Sequence, residues 1–486
     1  MPALLLRCLP LALVALIAFG LRTIELGRRP MHADEGNQGV KTGELLEQGR
    51  YAFDPRDHHG PTLYYAAAGV ARLRGQRTLA ELSETTLRLV PALFGTASVI
   101  LLAGLAAPLG RWPALAAALL AAIAPPAVYY SRYFIQESLL VTFTLATLLC
   151  LHRWWQSGLT RWALAAGVGA GLMQATKATA PLFLGAAALA LLATRAGARP
   201  ATRRPGRDAL AAAGAALFVA ALLFASFGAN PSGLRDALAT YGHALTRFGS
   251  DAAPTGHEKP WWFYLHLFGI FSEGGLLWQQ IAFSALALAG AGIALVRREP
   301  LARATALYGV LILAVFSALP YKTPWHAVHF VPVFALLAAV ALSAASRQPR
   351  GCPLAVAIAL ATAGTLLHQT RLTSFLRPAD WRNPWAYVHS SPDVLKFRTL
   401  VDAARSQSPG QPIRVISEEY WPLPWYLRGL SEVGYWHAPP ADCDGTLVIS
   451  STTHAEAVRA QLRRTYRESF LGLRPGVVLV VFTLVP

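Results

Sequence analysis

The feature that most constrains this chain is the recurrence of long runs of Ala, Leu, Val and Ile that are almost free of charge. Each run approaches the ~20 residues a helix needs to cross hydrocarbon. A backbone in lipid must satisfy its hydrogen bonds within itself, so such runs are read as helices. They give about eleven spans: Leu4–Leu21, Thr85–Leu109, Pro113–Tyr130, Gln136–Leu151, Trp162–Thr176, Pro181–Thr194, Ala209–Phe227, Leu276–Val296, Ala304–Leu319, Ala327–Ala345 and Pro353–Leu367. Only 14% of the 486 residues are charged, against roughly a quarter in soluble proteins, which excludes a soluble globule. The net charge of +17 is carried by arginines in short connections, with no basic patch interleaved with aromatics. The partner this implies is the lipid bilayer and not a nucleic acid.

The expected architecture is mainly α: a polytopic helical membrane domain over 1–370, with a long first outer loop over 22–83, then a small extracytoplasmic α/β domain over 371–486. In the tail, helices are expected at Val394–Ala404, Pro422–Arg428 and His454–Arg464, and strands at Ile413–Ile416, Leu447–Ser450 and Val477–Phe482. Gly36–Gln48 reads as a short amphipathic helix, and Thr62–Leu73 as an apolar helix too short to span, lying in the interface. The four cysteines show no paired spacing, so no disulfide framework is expected. Arg7 precedes an apolar run with no small-x-small cleavage site after it, which reads as an uncleaved first span.

The arginines orient the molecule. With the N-terminus cytoplasmic, the inside loops hold Arg111, His152 to Arg161, the cluster Arg195, Arg199, Arg203, Arg204 and Arg207, then Arg297 to Arg303, and Arg347 with Arg350. Each is short and basic, as the positive-inside rule requires, and the expected site is a multi-pass cell (inner) membrane with the C-terminal domain outside. The polar stretches then fall together on the outer face: His32–Glu35, Asp57 to His59, Ser131–Glu137, Gly256 to Lys259 and Tyr321–His326.

Each stretch has a structural and a chemical reading. Asp34 could cap a helix starting at Glu35, or, facing a sheltered cavity, take a proton from a hydroxyl. Arg132 and Glu137 could pair to hold two helix ends, or Arg132 could bind a phosphate while Glu137 orients a hydroxyl or a metal. Lys322 could snorkel to the interface, or contact a phosphate together with His326. His326 and His329 share a helix face, a weak metal pattern without a fixed third ligand. His58 and His59 could be ordinary loop residues beside interfacial Tyr64 and Tyr65.

Together these stretches resemble the GT-C superfamily of polyprenyl-phosphate-sugar-dependent glycosyltransferases, in the branch of the protein O-mannosyltransferases and the aminoarabinose transferase of lipid A. The resemblance rests on Asp34-Glu35 after the first span, on His58-His59-Gly60-Pro61 with Leu63-Tyr64-Tyr65, on Ser131-Arg132 with Glu137, and on Lys322-Thr323-Pro324-Trp325-His326. It is greatest to the group named for association with flippase activity in archaeal glycosylation loci, at Tyr321–Trp325, Asn383–Val388 and Trp421–Tyr426. The resemblance implies Asp34 as the base that deprotonates the acceptor, and Glu35 and Glu137 as groups positioning the acceptor or a divalent cation, Mg or Mn; no other cofactor is expected. It implies Arg132, Lys322 and His326, with His58, His59 and Tyr321, as contacts to the lipid phosphate and sugar. The substrate implied is a polyprenyl-phosphate-linked sugar, passed with inversion to an envelope glycan, lipid or protein. In two places the chain departs from the pattern: His59 or Gly60 stands where the family has a lysine, and Glu137 where it has an aspartate. A flippase or accessory protein that moves lipid-linked sugars without breaking a bond is the alternative, since polar intramembrane groups serve transport as well.

Overall fold

The computed structural model describes residues 2–56, 59–194, 201–202, 204–247 and 257–485. His58 and Asp57, Gly256, and Arg195, Arg199 and Arg203 of the basic loop lie outside the described residues.

Helices stand at all eleven expected positions, making a multi-pass membrane protein. Among the described residues six are long and apolar enough to cross a membrane: Glu84–Leu109, Glu137–Ser157, Pro205–Phe224, Pro300–Ala318, Pro324–Ser346 and Gly351–Leu376. Local chemistry shortens two of the others. The run expected at Pro113–Tyr130 divides into Arg111–Ile123 and Pro125–Tyr130, because Ala124 precedes the Pro125-Pro126 pair and takes an extended conformation (ψ 131°). The run expected from Leu276 starts late: Leu276–Gln279 pairs antiparallel with Ile270–Glu273 as a hairpin, and the helix is Ile281–Arg297. Pro324–Ser346 is the most enclosed of the six, whereas Pro205–Phe224 leaves most of its surface uncovered by the rest of the protein.

The first long loop carries the helices Ala33–Gln48 and Thr62–Leu73. The former stops at Gly49, whose positive φ of 71° lets its N–H reach back to the Leu45 carbonyl at 2.9 Å. Its Gly36 and Gly39 share one face. A Cβ there would stand 2.8 Å from Pro422 Cβ and 2.7 Å from the Trp425 ring, so glycine is what lets the C-terminal domain seat on this helix. The Tyr426 hydroxyl accepts from the Met31 N–H at 2.8 Å, and Trp425 donates to Glu84 at 2.7 Å. One apolar core therefore runs from Met31, Leu63 and Leu87 into Val394, Ile413 and Trp425.

The C-terminal domain is a five-stranded mixed sheet in the order Val433–Trp436, Ile413–Ile416, Leu447–Ser451, Val477–Leu484, Tyr466–Arg474. The first three strands are parallel; Val477–Leu484 runs antiparallel to both of its neighbours. Helices Lys396–Gln407, Leu423–Tyr426 and Ala455–Gln461 match the expected ones, while Val433–Trp436 and Tyr466–Arg474 are additional strands. The helix preceding the domain continues past Arg371 as a wider turn to Leu376 before the chain leaves the membrane domain.

Candidate active site

Asp34 and Glu35 are adjacent in sequence but occupy opposite environments. They open the helix Ala33–Gln48, where His32 is the N-cap. The His32 Nδ1 accepts from the Asp34 N–H at 3.0 Å, and Glu35 accepts from the His32 N–H at 3.1 Å, closing a capping box. Glu35 is fully buried. It receives two bonds from Arg88 at 2.8 Å, two from Arg29 at 3.2 Å, and one from the Phe134 N–H at 2.8 Å. Burial alone would raise its pKa, but the charges of Arg88 and Arg29 outweigh that and hold the carboxyl well below the usual range. With three donors on each oxygen, Glu35 has no lone pair left for an acceptor or a cation. Its geometry is that of an anchor for the loop.

Asp34 keeps 47% of its side chain exposed, with its carboxylate 3.8 Å from His32 Nδ1. His257, Tyr387 and, from the C-terminal domain, Arg474 lie within electrostatic reach of it, the first two within reach of Glu258 as well. His257 Nδ1 lies 2.6 Å from the Tyr387 hydroxyl, and its ring packs on Tyr321 with centroids 4.7 Å apart. The Lys322 N–H donates to the His257 carbonyl at 3.0 Å, so the 257–259 and 321–323 segments travel together. Lys322 itself is buried, and its Nζ is spent on the carbonyls of Leu319 and Lys259.

Glu137 opens the helix Glu137–Ser157 and is buried. The preceding residue, Gln136, donates to Gln38 at 2.7 Å, and Gln38 lies one turn beyond Asp34. The starts of the two carboxylate-bearing helices are thus tied together. The partner of Glu137 is Lys177, which sequence reasoning missed; the two form a close ion pair. Lys177 Nζ is also 3.3 Å from His326 Nε2, and that nitrogen is 3.9 Å from Glu137. The Tyr264 hydroxyl and Thr323 Oγ1 each stand 3.3 Å from His326 Nδ1. A signal for Lys177 was present: it is a lysine in a short turn between apolar helices, a costly position without a task. The histidine loop lies against this turn, since the Gly60 and Thr62 N–H groups donate to Thr176 and Ala175, both at 3.2 Å. A Cβ at Gly60 would come within 2.2 Å of the Ala175 carbonyl oxygen, which accounts for glycine there. His59 is exposed and within electrostatic reach of His326. Lys177 thus brings a cation beside the loop that carries His59 and Gly60.

Arg132 does not join this cluster. The turn between Tyr130 and Glu137 directs it back to the end of the first helix, where it donates to the carbonyls of Leu21 (3.1 Å) and Ile24 (2.5 Å). Its guanidinium also lies over the Phe375 ring at 4.5 Å.

Below the Lys177 cluster lies an apolar cavity of about 540 Å³ between the helices carrying Leu102, Val141, Ala187, Tyr308 and Leu336. His329 forms part of its wall, one turn from His326, and the ring series His329–Phe183–Phe316–His326 joins cavity to polar cluster. Among the described residues no three His, Cys, Asp or Glu side chains converge as metal ligands.

Residues 58–224 match the family model described as dolichyl-phosphate-mannose-protein mannosyltransferase. Among solved structures, the chain is similar to ArnT from Cupriavidus metallidurans bound to undecaprenyl phosphate, with a TM-score of 0.68, 14% identity and 97% of each chain covered. It is also similar to the archaeal oligosaccharyltransferase AglB from Archaeoglobus fulgidus, solved with an inhibitory peptide and a dolichol-phosphate. There the TM-score is 0.56 and the identity 14%, over 96% of this chain and 72% of that one. No curated protein matches the sequence. The chain is mainly helical with a small C-terminal sheet domain, as expected, and it shares its fold with ArnT.

Proposed function

We propose that this chain is a membrane glycosyltransferase that takes a sugar from a polyprenyl-phosphate carrier and passes it, with inversion, to a hydroxyl of an envelope lipid, glycan or protein. The matched family segment and the fold support that reading. The observation that carries it is the buried Lys177–Glu137–His326 cluster, which stacked rings connect to His329 in the wall of a 540 Å³ apolar cavity. Ligand pockets run from about 300 to 1,000 Å³, and a lipid phosphate needs apolar space close to a cation.

In this reading Asp34 takes the proton of the acceptor hydroxyl. The freed oxygen attacks the anomeric carbon from the face opposite the phosphate, the sugar–phosphate bond breaks, and its electron pair stays on the phosphate oxygen. A phosphate leaving group needs charge stabilisation more than protonation, and Lys177 supplies it, with His326 beside it. Glu137 holds Lys177 in place, and Tyr264 and Thr323 orient His326. The donor set does not suit a divalent cation, because the Lys177 ammonium occupies the space between Glu137 and His326, and the oxygens of Glu35 are saturated. The proposed orientation puts the N-terminus in the cytoplasm and Asp34 outside. The transport alternative gains no support from the relatives.

The test is Asp34→Asn in proteoliposomes supplied with a polyprenyl-phosphate sugar. The expected result is loss of transfer with carrier binding retained; transfer at the wild-type rate refutes the assignment of the base.

A further inference from the structure

A second polar depression lies away from the Lys177 cluster, at the level where the first and last membrane helices end. It holds about 860 Å³ between Glu25–Pro30 and the segment Leu372–Arg382. Its walls carry Arg28, Arg132, Arg377 and Arg382 against Glu25 and Asp380, in addition to Arg29, whose charge is turned toward Glu35. Arg28 pairs with Glu25, and both Arg377 and Arg382 share the single carboxylate of Asp380. Arg132 has no carboxylate within ion-pair distance among the described residues; carbonyls of the first helix hold it. The wall is therefore cationic, with one guanidinium unpaired and another sharing its counter-charge.

Around this basic wall the surface is apolar. Ile24 is 55%, Leu376 56% and Trp381 60% exposed, the mixture of apolar and indole side chains found at the headgroup boundary. Below the rim the two helices continue as lipid-facing surface, with Leu16, Leu360 and Leu367 exposed. A ligand seated here meets cations at headgroup depth and hydrocarbon beneath them. We propose that this groove binds the phosphate-bearing headgroup of an anionic bilayer lipid, its acyl chains lying along Pro2–Thr23 and Gly351–Arg371. The proposal does not depend on the transfer reaction.

The experiment is native mass spectrometry of the full chain in neutral detergent, with phosphatidylglycerol, phosphatidylcholine or inorganic phosphate added. Phosphatidylglycerol adducts are expected to outlast phosphatidylcholine adducts. Each arginine removed near an anionic headgroup weakens retention about fivefold. Arg28→Ala with Arg377→Ala should therefore lower it about 25-fold, Arg28→Ala alone about fivefold, while Arg377→Lys keeps it and Arg398→Ala on the C-terminal domain leaves it unchanged. The single Arg28 variant, whose side chain is 73% exposed, carries the test if the double variant does not fold. Equal retention of the two lipids, retention unchanged in the arginine variants, or displacement of phosphatidylglycerol by inorganic phosphate at equal concentration overturns the proposal, the last by making the groove a site for the free anion.

Discussion

Replacing Glu35 by glutamine keeps the shape of the side chain and removes one negative charge from a site that holds two arginines. Both guanidiniums are at least nine-tenths buried and Arg88 is wholly so. Arg88 also donates to the carbonyls of Leu26, Arg29 and Pro30, so it cannot swing to water without unravelling the loop that positions Asp34. Removing one partner of a buried pair costs about 3–5 kcal/mol. At ~1.4 kcal/mol per factor of ten, the population open to protease rises roughly 10²- to 10⁴-fold. The assay is native-state proteolysis of detergent-solubilised protein, read beside tryptophan-fluorescence melting. Asp34→Asn, one residue earlier and half-exposed, should change stability by no more than about 0.5 kcal/mol. A carboxyl whose folded pKa is depressed contributes stability that is fully present above the ordinary glutamate range and lost as pH falls through the folded value. The Glu35→Gln defect should therefore be constant from pH 5 to 8. An E35Q protein as protease-resistant as the wild type, or a D34N protein as fragile as E35Q, refutes the division between anchor and base.

Other expectations follow from the same geometry. His32 and His389 are buried outside the membrane helices with their rings 5.7 Å apart, and burial pushes both pKa values down. The unfolded chain then binds their protons first, so stability, followed as melting temperature, should fall below about pH 6.5, by up to about 1.4 kcal/mol per pH unit for each histidine; His389→Phe should flatten that slope. Gly39→Val sets side-chain atoms against the Trp425 ring and Leu87, at a cost of about 1–3 kcal/mol, and should expose the contact between the first loop and the C-terminal domain to protease. Gly20→Ala, with nothing within 4 Å of its Cβ, should not. Lys177→Met should lower kcat about 10²- to 10³-fold, with Glu137→Gln added so that no buried carboxylate is left unpaired; wild-type turnover in the double variant contradicts the role given to the ammonium.

The membrane helices were legible because a ~20-residue apolar run in hydrocarbon satisfies its own backbone hydrogen bonds as a helix, and the first loop because its polar residues stand between two such runs. Glu35 was not distinguishable from Asp34: both are carboxylates in a helix's first turn, and only tertiary packing brings Arg88 to one of them from 53 residues away. Arg132 and Glu137 are close in sequence, yet the short turn between them sends one to the first helix and the other to Lys177. The strand Tyr466–Arg474 lies at the sheet edge, mostly exposed over its first half, so the alternation that marks a half-buried strand is missing there. Val433–Trp436 has only four residues, all part-buried, too few to show a period.

The central claim is that a sugar–phosphate bond is broken beside Lys177 and Asp34. It is tested most directly by reconstituting the full chain with a radiolabelled polyprenyl-phosphate sugar and an envelope extract, then separating the lipid products. Release of free polyprenyl phosphate with the label moved to an acceptor, absent in D34N, is the predicted result; a donor recovered intact and merely redistributed between leaflets would contradict it.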